Sequence, residues 1–243
     1  MVLAAEEIEA RLRAVATPER AAREKRYLKS ELDFLGATMP QVRAAVKEVA
    51  RAQPDLTHDE LVTLVLALWT KPIHERRMAS VLLLGRFVEL LESGDMALIE
   101  RLVRDARTWA LVDALATDIV GRLVARDPDG VTPALDRWAA DPDLWLRRAS
   151  LLAELRPIRD GAPLDRFLAR AEPMLAEREF FIRKAIGWVL REAGKRRPDE
   201  VAAWLAPRTH RVSGVTVREA VKYLPGEVSA TLMVAHRAGR PGA

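Results

Sequence analysis

The 243-residue sequence predicts an all-α chain folded as an α-solenoid of about six two-helix repeats with a concave basic face. Three observations carry the prediction. Leu, Ala, Arg and Glu dominate, all strong helix formers, and almost no segment alternates apolar and polar residues as a strand does. A short pattern of Arg, any residue, Ala and then apolar residues recurs along the chain. It stands as VRAAVKEV at Arg43, RRMASVLLL at Arg77, LRRASLLAEL at Arg147, IRKAIGWVL at Arg183 and VREAVKYL at Arg218. The spacings are 34, 70, 36 and 35 residues, so one copy is due at position 112, where Val112-Asp113-Ala114 carries a different residue set. Between the copies lie shorter helical segments bounded by turn residues: AQPDLTHDE, ESGDMA, RDPDGVTPALDRW, RDGAPLDRF and KRRPDEVAAW. Two helices at this period bury their apolar faces only against neighbouring repeats.

The copies lack the Trp, Leu-Gly, Tyr and closing Pro of the 34-residue tetratricopeptide pattern. An Arg near the start of each second helix, often behind an acid (Asp143, Glu179), is closer to HEAT-like repeats. The expected organisation is one domain over residues 1–235 and a disordered tail over 236–243. With 49% hydrophobic and 30% charged residues the chain is globular. The 39 basic and 35 acidic groups give a formal charge of +4. The pI near 9.7 permits a polyanionic partner. Only seven of the basic residues are Lys and 32 are Arg; Arg suits bidentate phosphate contact, and a GC-rich genome gives the same bias. The absence of Cys excludes disulfides, thiolate chemistry and Cys-ligated metal, and the four His (58, 74, 210, 236) have no metal-ligand spacing. No phosphate-binding glycine loop or nucleophile elbow is present. The first twenty residues form an acid-containing amphipathic pattern rather than a signal peptide, and the longest apolar run, LVTLVLALW, is too short to cross a bilayer. A soluble, cytoplasmic monomer with no metal, no cofactor and no membrane association is expected.

The middle residue of each triplet is, in order, Ala44, Met78, Asp113, Arg148, Lys184 and Glu219. The central repeats thus put an acid, an Arg and a Lys at one structural position. Leu144, Trp145, Leu151, Leu152 and Leu155 surround Arg148 on the helical wheel, and a cation in an apolar arc needs an anion. That anion is either Asp113 or Asp143 across repeats, or a ligand. Asp113 follows Trp109 by four residues, on one helix face, at the margin of a stripe of Leu111, Val112, Leu115, Ala116, Ile119 and Leu123. It reads either as an inter-repeat hydrogen-bond acceptor or as part of a site. Two repeats on, the segment EFFIRKAIGWVLREAGKRRPDE predicts a helix with Ile182, Ile186, Val189 and Ala193 on its core face. Its other face carries Phe181, Lys184, Trp188, Arg191 and Lys195. Aromatic faces beside a fixed negative charge suit a cationic group, and the surrounding Lys and Arg suit phosphates.

The sequence resembles the HEAT-like repeat DNA glycosylases of the AlkD type, which excise alkylated purines. The matching pieces, in family order, are YLKSELDFLGATMPQVR, LWTKPIHERRMAS, TWALVD, DLWLRRAS and EFFIRKAIGWVLRE, spread from about residue 20 to residue 205. The resemblance implies that Trp109, Asp113 and Trp188 form a catalytic cleft. It further implies that Arg148 holds the phosphate near the lesion, Tyr27 touches DNA from the first repeat and Arg191 adds a phosphate contact. Lys184, Lys195 and Phe181 complete the expected DNA-binding set. The implied activity is monofunctional hydrolysis of the N-glycosidic bond of N3- or N7-alkylated purines in duplex DNA, without base flipping. The chain departs from the family at Thr108, where a second Trp is common, and at Ala110 and Leu111, where acidic and polar residues are usual; Thr38 is a variable site. These changes bear on which adducts are accepted. Two alternatives stand beside this reading, a non-catalytic binder of damaged or branched DNA and a protein–protein scaffold.

Overall fold

The computed structural model describes residues 1–239, whose regular elements are helices; among the described residues, Asp33 and Ile73 form an isolated parallel bridge. Backbone proximity divides the chain into two compact units, one from Met1 to Leu123 and one from Val124 onward.

The first unit holds α1 (Val2–Ala14), α2 (Pro18–Leu28), α3 (Met39–Arg51), α4 (His58–Trp69), α5 (His74–Arg86), α6 (Met96–Ala106) and α7 (Trp109–Ala114). The α7 helix runs on as a π-helical stretch, Leu115–Val120, into α8 (Gly121–Arg126), within which the division falls. The starts of α3 and α4 are written in the sequence. Thr38 with Gln41, and Thr57 with Glu60, form reciprocal capping boxes that satisfy otherwise orphaned N–H groups. Ala5, Ile8 and Leu12 of α1 face α3 and α4, and Leu61, Leu64 and Leu68 of α4 are fully buried. Gly36 makes the turn before α3 possible. Its φ of +81° suits glycine, and a Cβ there would sit 2.2 Å from the Thr17 carbonyl oxygen. The turn is held by the buried Glu75 carboxylate, which accepts the Leu35 and Gly36 N–H groups, the latter at 2.6 Å.

The second unit holds α9 (Pro128–Ala139), α10 (Leu144–Leu152), α11 (Leu155–Arg159), α12 (Asp165–Ala171), α13 (Phe180–Gly194), α14 (Pro198–Leu205), α15 (Gly214–Ala220) and α16 (Gly226–Ala238). Asp143 caps α10 by accepting the Trp145 N–H at 2.7 Å. The α13 helix is the hub, packed against α10, α11, α14 and α15. Its core face is the expected one: Ile182, Ile186, Val189 and Ala193 are buried, joined by Ala185 and Leu190. Each buried aliphatic side chain of Val or Leu size contributes roughly 1.5–3 kcal/mol. Glycine permits the closest approach, since a Cβ on Gly187 would lie 2.7 Å from Glu219 Cβ and 2.9 Å from the Thr216 carbonyl oxygen.

Each Arg-x-Ala copy falls on a helix, α3, α5, α10, α13 or α15, and the odd copy at 112 falls on α7. For three of the repeating arginines a structural use is evident. Arg77 donates to the Asp105 carbonyl at 2.5 Å, Arg147 to those of Asp141 and Pro142, and Arg183 to that of Glu177 at 2.7 Å. They fasten the loops between helices, satisfying carbonyls at the chain reversals. Of the expected tail, residues 236–238 continue α16, and His236 is buried with Nδ1 2.9 Å from the Thr209 carbonyl oxygen. Residues 240–243 lie outside the described range.

Candidate nucleic-acid interface

In the first unit the chain reaches α7 through two unusual residues. Arg107 takes a left-handed conformation, φ 52°, and Thr108 takes an extended one with its side chain buried and Oγ1 without a hydrogen-bond partner. Arg77 anchors this corner by gripping both the carbonyl and the carboxylate of Asp105, and Trp69 Nε1 donates to the same carboxylate at 2.9 Å. Trp109 thereby opens α7 with a half-exposed ring. The exposed ring of Tyr27, on α2, meets it edge-on with centroids 5.9 Å apart. Asp113 sits one helical turn after Trp109 and is partly exposed. Leu111, Val112, Leu115, Ala116, Ile119 and Leu123 are all buried, as the stripe requires. One open-faced cluster thus unites Tyr27, Trp109 and Asp113, two aromatic surfaces and a carboxylate.

Beneath Tyr27 lies a cavity of about 130 Å³ lined also by Met39, Val42, His74 and Met78. His74 stacks on Phe34 with centroids 4.8 Å apart, and burial pulls its pKa down to about 4, so the ring is neutral at physiological pH. Burial likewise pushes the neighbouring Glu75 carboxyl up.

In the second unit Arg148 is 3% exposed. It donates to the Phe181 carbonyl at 2.5 Å and lies 5.6 Å from the centroid of the Phe181 ring, which also packs on Trp145 at 5.1 Å. Its charge is therefore held below the surface, in the apolar arc foreseen from the wheel. Asp143, one of the two acids considered as its partner, is used as the α10 cap. The outward face of α13 carries Phe181, Lys184, Trp188 and Arg191 half exposed and Lys195 exposed.

The cations on that face are organised by a residue that stands out in the sequence only by its register position. Glu219 of α15 is buried and receives Lys184 Nζ at 2.7 Å, Lys222 Nζ at 2.6 Å and Arg191 Nη1 at 2.5 Å. Burial pushes its carboxyl up, but the bonds and charges of Lys184 and Lys222 outweigh that and bring it to about 2. Glu192 plays a similar part for Lys195, at 3.0 Å, and Arg159, at 3.1 Å. The signal was available, since Glu219 stands 35 residues after Lys184 in the same place of the next copy.

Among the described residues no group of three or more His, Asp or Glu side chains is placed to hold a metal ion, and no helix is long and apolar enough to cross a membrane. A family model described as "DNA alkylation repair enzyme" matches residues 8–224. The fold is similar to that of a predicted DNA alkylation repair enzyme from Enterococcus faecalis, at 25% identity and TM-score 0.77, over 87% of this chain and 97% of that one. It is also similar to AlkD2 from Streptococcus mutans (16% identity, TM-score 0.61, 86% and 99% covered) and to smu.31 from Streptococcus mutans UA159 (16%, 0.60, 85% and 98%). The last two likenesses bear on the fold alone. No curated protein sequence matches the chain.

Proposed function

The chain belongs to the family of DNA alkylation repair enzymes, and on that premise we propose that it is a monofunctional DNA glycosylase for cationic N3- or N7-alkylated purines in duplex DNA. The observation that carries the reading is the cluster of Tyr27, Trp109 and Asp113: a carboxylate one turn from a half-exposed indole that is braced by an exposed Tyr. Alkylation at N3 of adenine or N7 of guanine leaves a positive charge on the base. When the C1′–N bond breaks, its electron pair goes to the base and neutralises that charge, so the leaving group departs without a general acid. The sugar becomes oxocarbenium-like. A carboxylate beside C1′ stabilises it and orients the water whose oxygen bonds to C1′, with the proton passing to Asp113 or to solvent. The reaction as written asks nothing of a metal or organic cofactor.

Trp109 in the first unit and Trp188 in the second each offer a ring face that suits a deoxyribose or a cationic base, a contact contributing on the order of 0.5–2 kcal/mol. Arg148 supplies a positive charge, fixed by its bond to the Phe181 carbonyl, for a backbone phosphate. Further DNA contacts are assigned to Tyr27 in the first unit and to Phe181, Lys184, Arg191 and Lys195 in the second. Because the ligands of these side chains are sugar, phosphate and the edge of the lesion, the base need not leave the stack. The protein would act as a monomer in the cytoplasm, at the nucleoid.

The test is incubation of the protein with duplexes carrying N7-methylguanine or a bulky N3-adenine adduct. Free alkylated base and abasic sites are the expected products. Absence of both with every adduct, in the face of measurable duplex affinity, would favour a non-catalytic DNA binder instead.

A further inference from the structure

We propose that the last repeat belongs to the DNA interface, with Glu219 acting as a positioning residue that holds Lys184, Arg191 and Lys222 as one phosphate-binding triad, and with Tyr223 beside it. This rests on the reading of the chain as a DNA-acting protein. It adds Lys222, Tyr223 and Glu219, to which the family resemblance gives no part.

The triad is not an ordinary ion pair. Lys184 and Lys222 both donate to Oε1 of Glu219, at 2.7 and 2.6 Å, so the two ammonium groups can be no farther apart than those two bonds laid end to end. Arg191 takes the other oxygen at 2.5 Å. Concentrating three cations on one carboxylate leaves like charges facing one another, a cost that a single partner for Glu219 would avoid. The neighbouring group repeats the imbalance, as Glu192 serves Lys195 and Arg159. Five cations therefore share two carboxylates, and their side chains are between a quarter and half exposed. An anion arriving at this surface meets ammonium and guanidinium groups already fixed in direction, which lowers the ordering cost of binding it. A phosphodiester fits the set, because the Arg fork and the Lys point charges are complementary ways of holding its oxygens.

Tyr223 adds a reason to favour nucleic acid over a small anion. The residue is 54% exposed, and Lys195 Nζ stands 4.8 Å from the ring centroid. An exposed aromatic face next to a phosphate-sized cluster of charge can lie against a sugar or an unstacked base. The backbone makes the arrangement deliberate. Gly187 has no Cβ where one would strike Glu219 Cβ at 2.7 Å, so α15 can press its carboxylate in beneath the α13 cations.

The experiment is fluorescence anisotropy of an undamaged labelled duplex across a sodium chloride series, for the wild type, Glu219→Gln and the surface double variant Lys222→Ala/Tyr223→Ala, with thermal melts of each. The double variant should bind about tenfold more weakly at low salt. The slope of log affinity against log salt should shrink by about 0.9, one phosphate contact. Glu219→Gln removes a negative charge, so charge alone predicts tighter binding and a steeper slope. Positioning predicts the opposite, several-fold weaker binding with a shallower slope. Tighter binding by Glu219→Gln, or a double variant within twofold of wild type, overturns the proposal. If Glu219→Gln melts early, the double variant decides the matter alone. Failure of the wild type to bind any duplex at low salt would instead remove the DNA reading itself, and this proposal with it.

Discussion

At the scale of single residues, the molecule separates titratable groups kept for structure from charges kept at the surface. His74 is the clearest buried case. Its folded pKa of about 4 lies below the ordinary 6.5, so the unfolded chain takes up a proton that the folded chain refuses. The stability tied to its neutral form is complete above about pH 6.5 and is lost as pH falls toward 4. His58 works in the other direction, since hydrogen bonds to Asp95 and Asp59 raise its pKa. Its contribution is complete below 6.5 and fades as pH rises. Comparing His74→Phe with wild type isolates the first effect: urea unfolding at pH 7.5 and pH 5 should show a smaller acid loss in the variant. An equal loss would mean that His74 is not held neutral. Neither role was legible in the sequence, which showed only that four His lacked metal spacing. Burial of His74 under Phe34 and beside Glu75 depends on a turn closed 40 residues earlier in the chain, at Leu35 and Gly36.

At the scale of elements, the repeat was legible almost in full. Arg-x-Ala marks α3, α5, α10, α13 and α15, and the two faces of α13 lie as the periodicity requires. What the pattern did not tell was why the Arg recurs. At Arg77, Arg147 and Arg183 it binds carbonyls at chain reversals, so in these three copies it serves the fold. Nor did the cations of α13 show that they share a carboxylate from α15, because their common partner is non-local. Gly187 is where this coupling can be tested. In an exposed helix, Gly→Ala gains about 1 kcal/mol of helix propensity. Here the new methyl meets Glu219 Cβ at 2.7 Å and α15 backbone at 2.9 Å, which cannot swing aside as a side-chain tip can. Overpacking of this kind costs about 1–3 kcal/mol and outweighs the gain. Gly187→Ala should lower the urea midpoint, and a raised midpoint would show that α13 and α15 are not so closely apposed.

At the scale of the whole molecule, fold class and family were within reach of the sequence because solenoids repeat their instructions, and five family-like segments stand in order along the chain. The proposed site residues stand out in the sequence, Trp109 and Asp113 at the odd copy in the first unit and Trp188 on the basic face of α13 in the second. The site was illegible where it depends on backbone form, as at the left-handed Arg107 and buried Thr108 that set Trp109, or on the π-helical turn that follows Asp113. In the proposed reaction Asp113 does chemistry on a cationic nucleotide and is not merely an acceptor within the fold. Single-turnover excision of N7-methylguanine from a duplex by wild type and by Asp113→Asn, with anisotropy on the same duplex, tests it most directly. The rate should be at least ~100-fold lower in the variant, about 2.7 kcal/mol of barrier, with duplex affinity retained. An unchanged excision rate in a folded Asp113→Asn protein would contradict it.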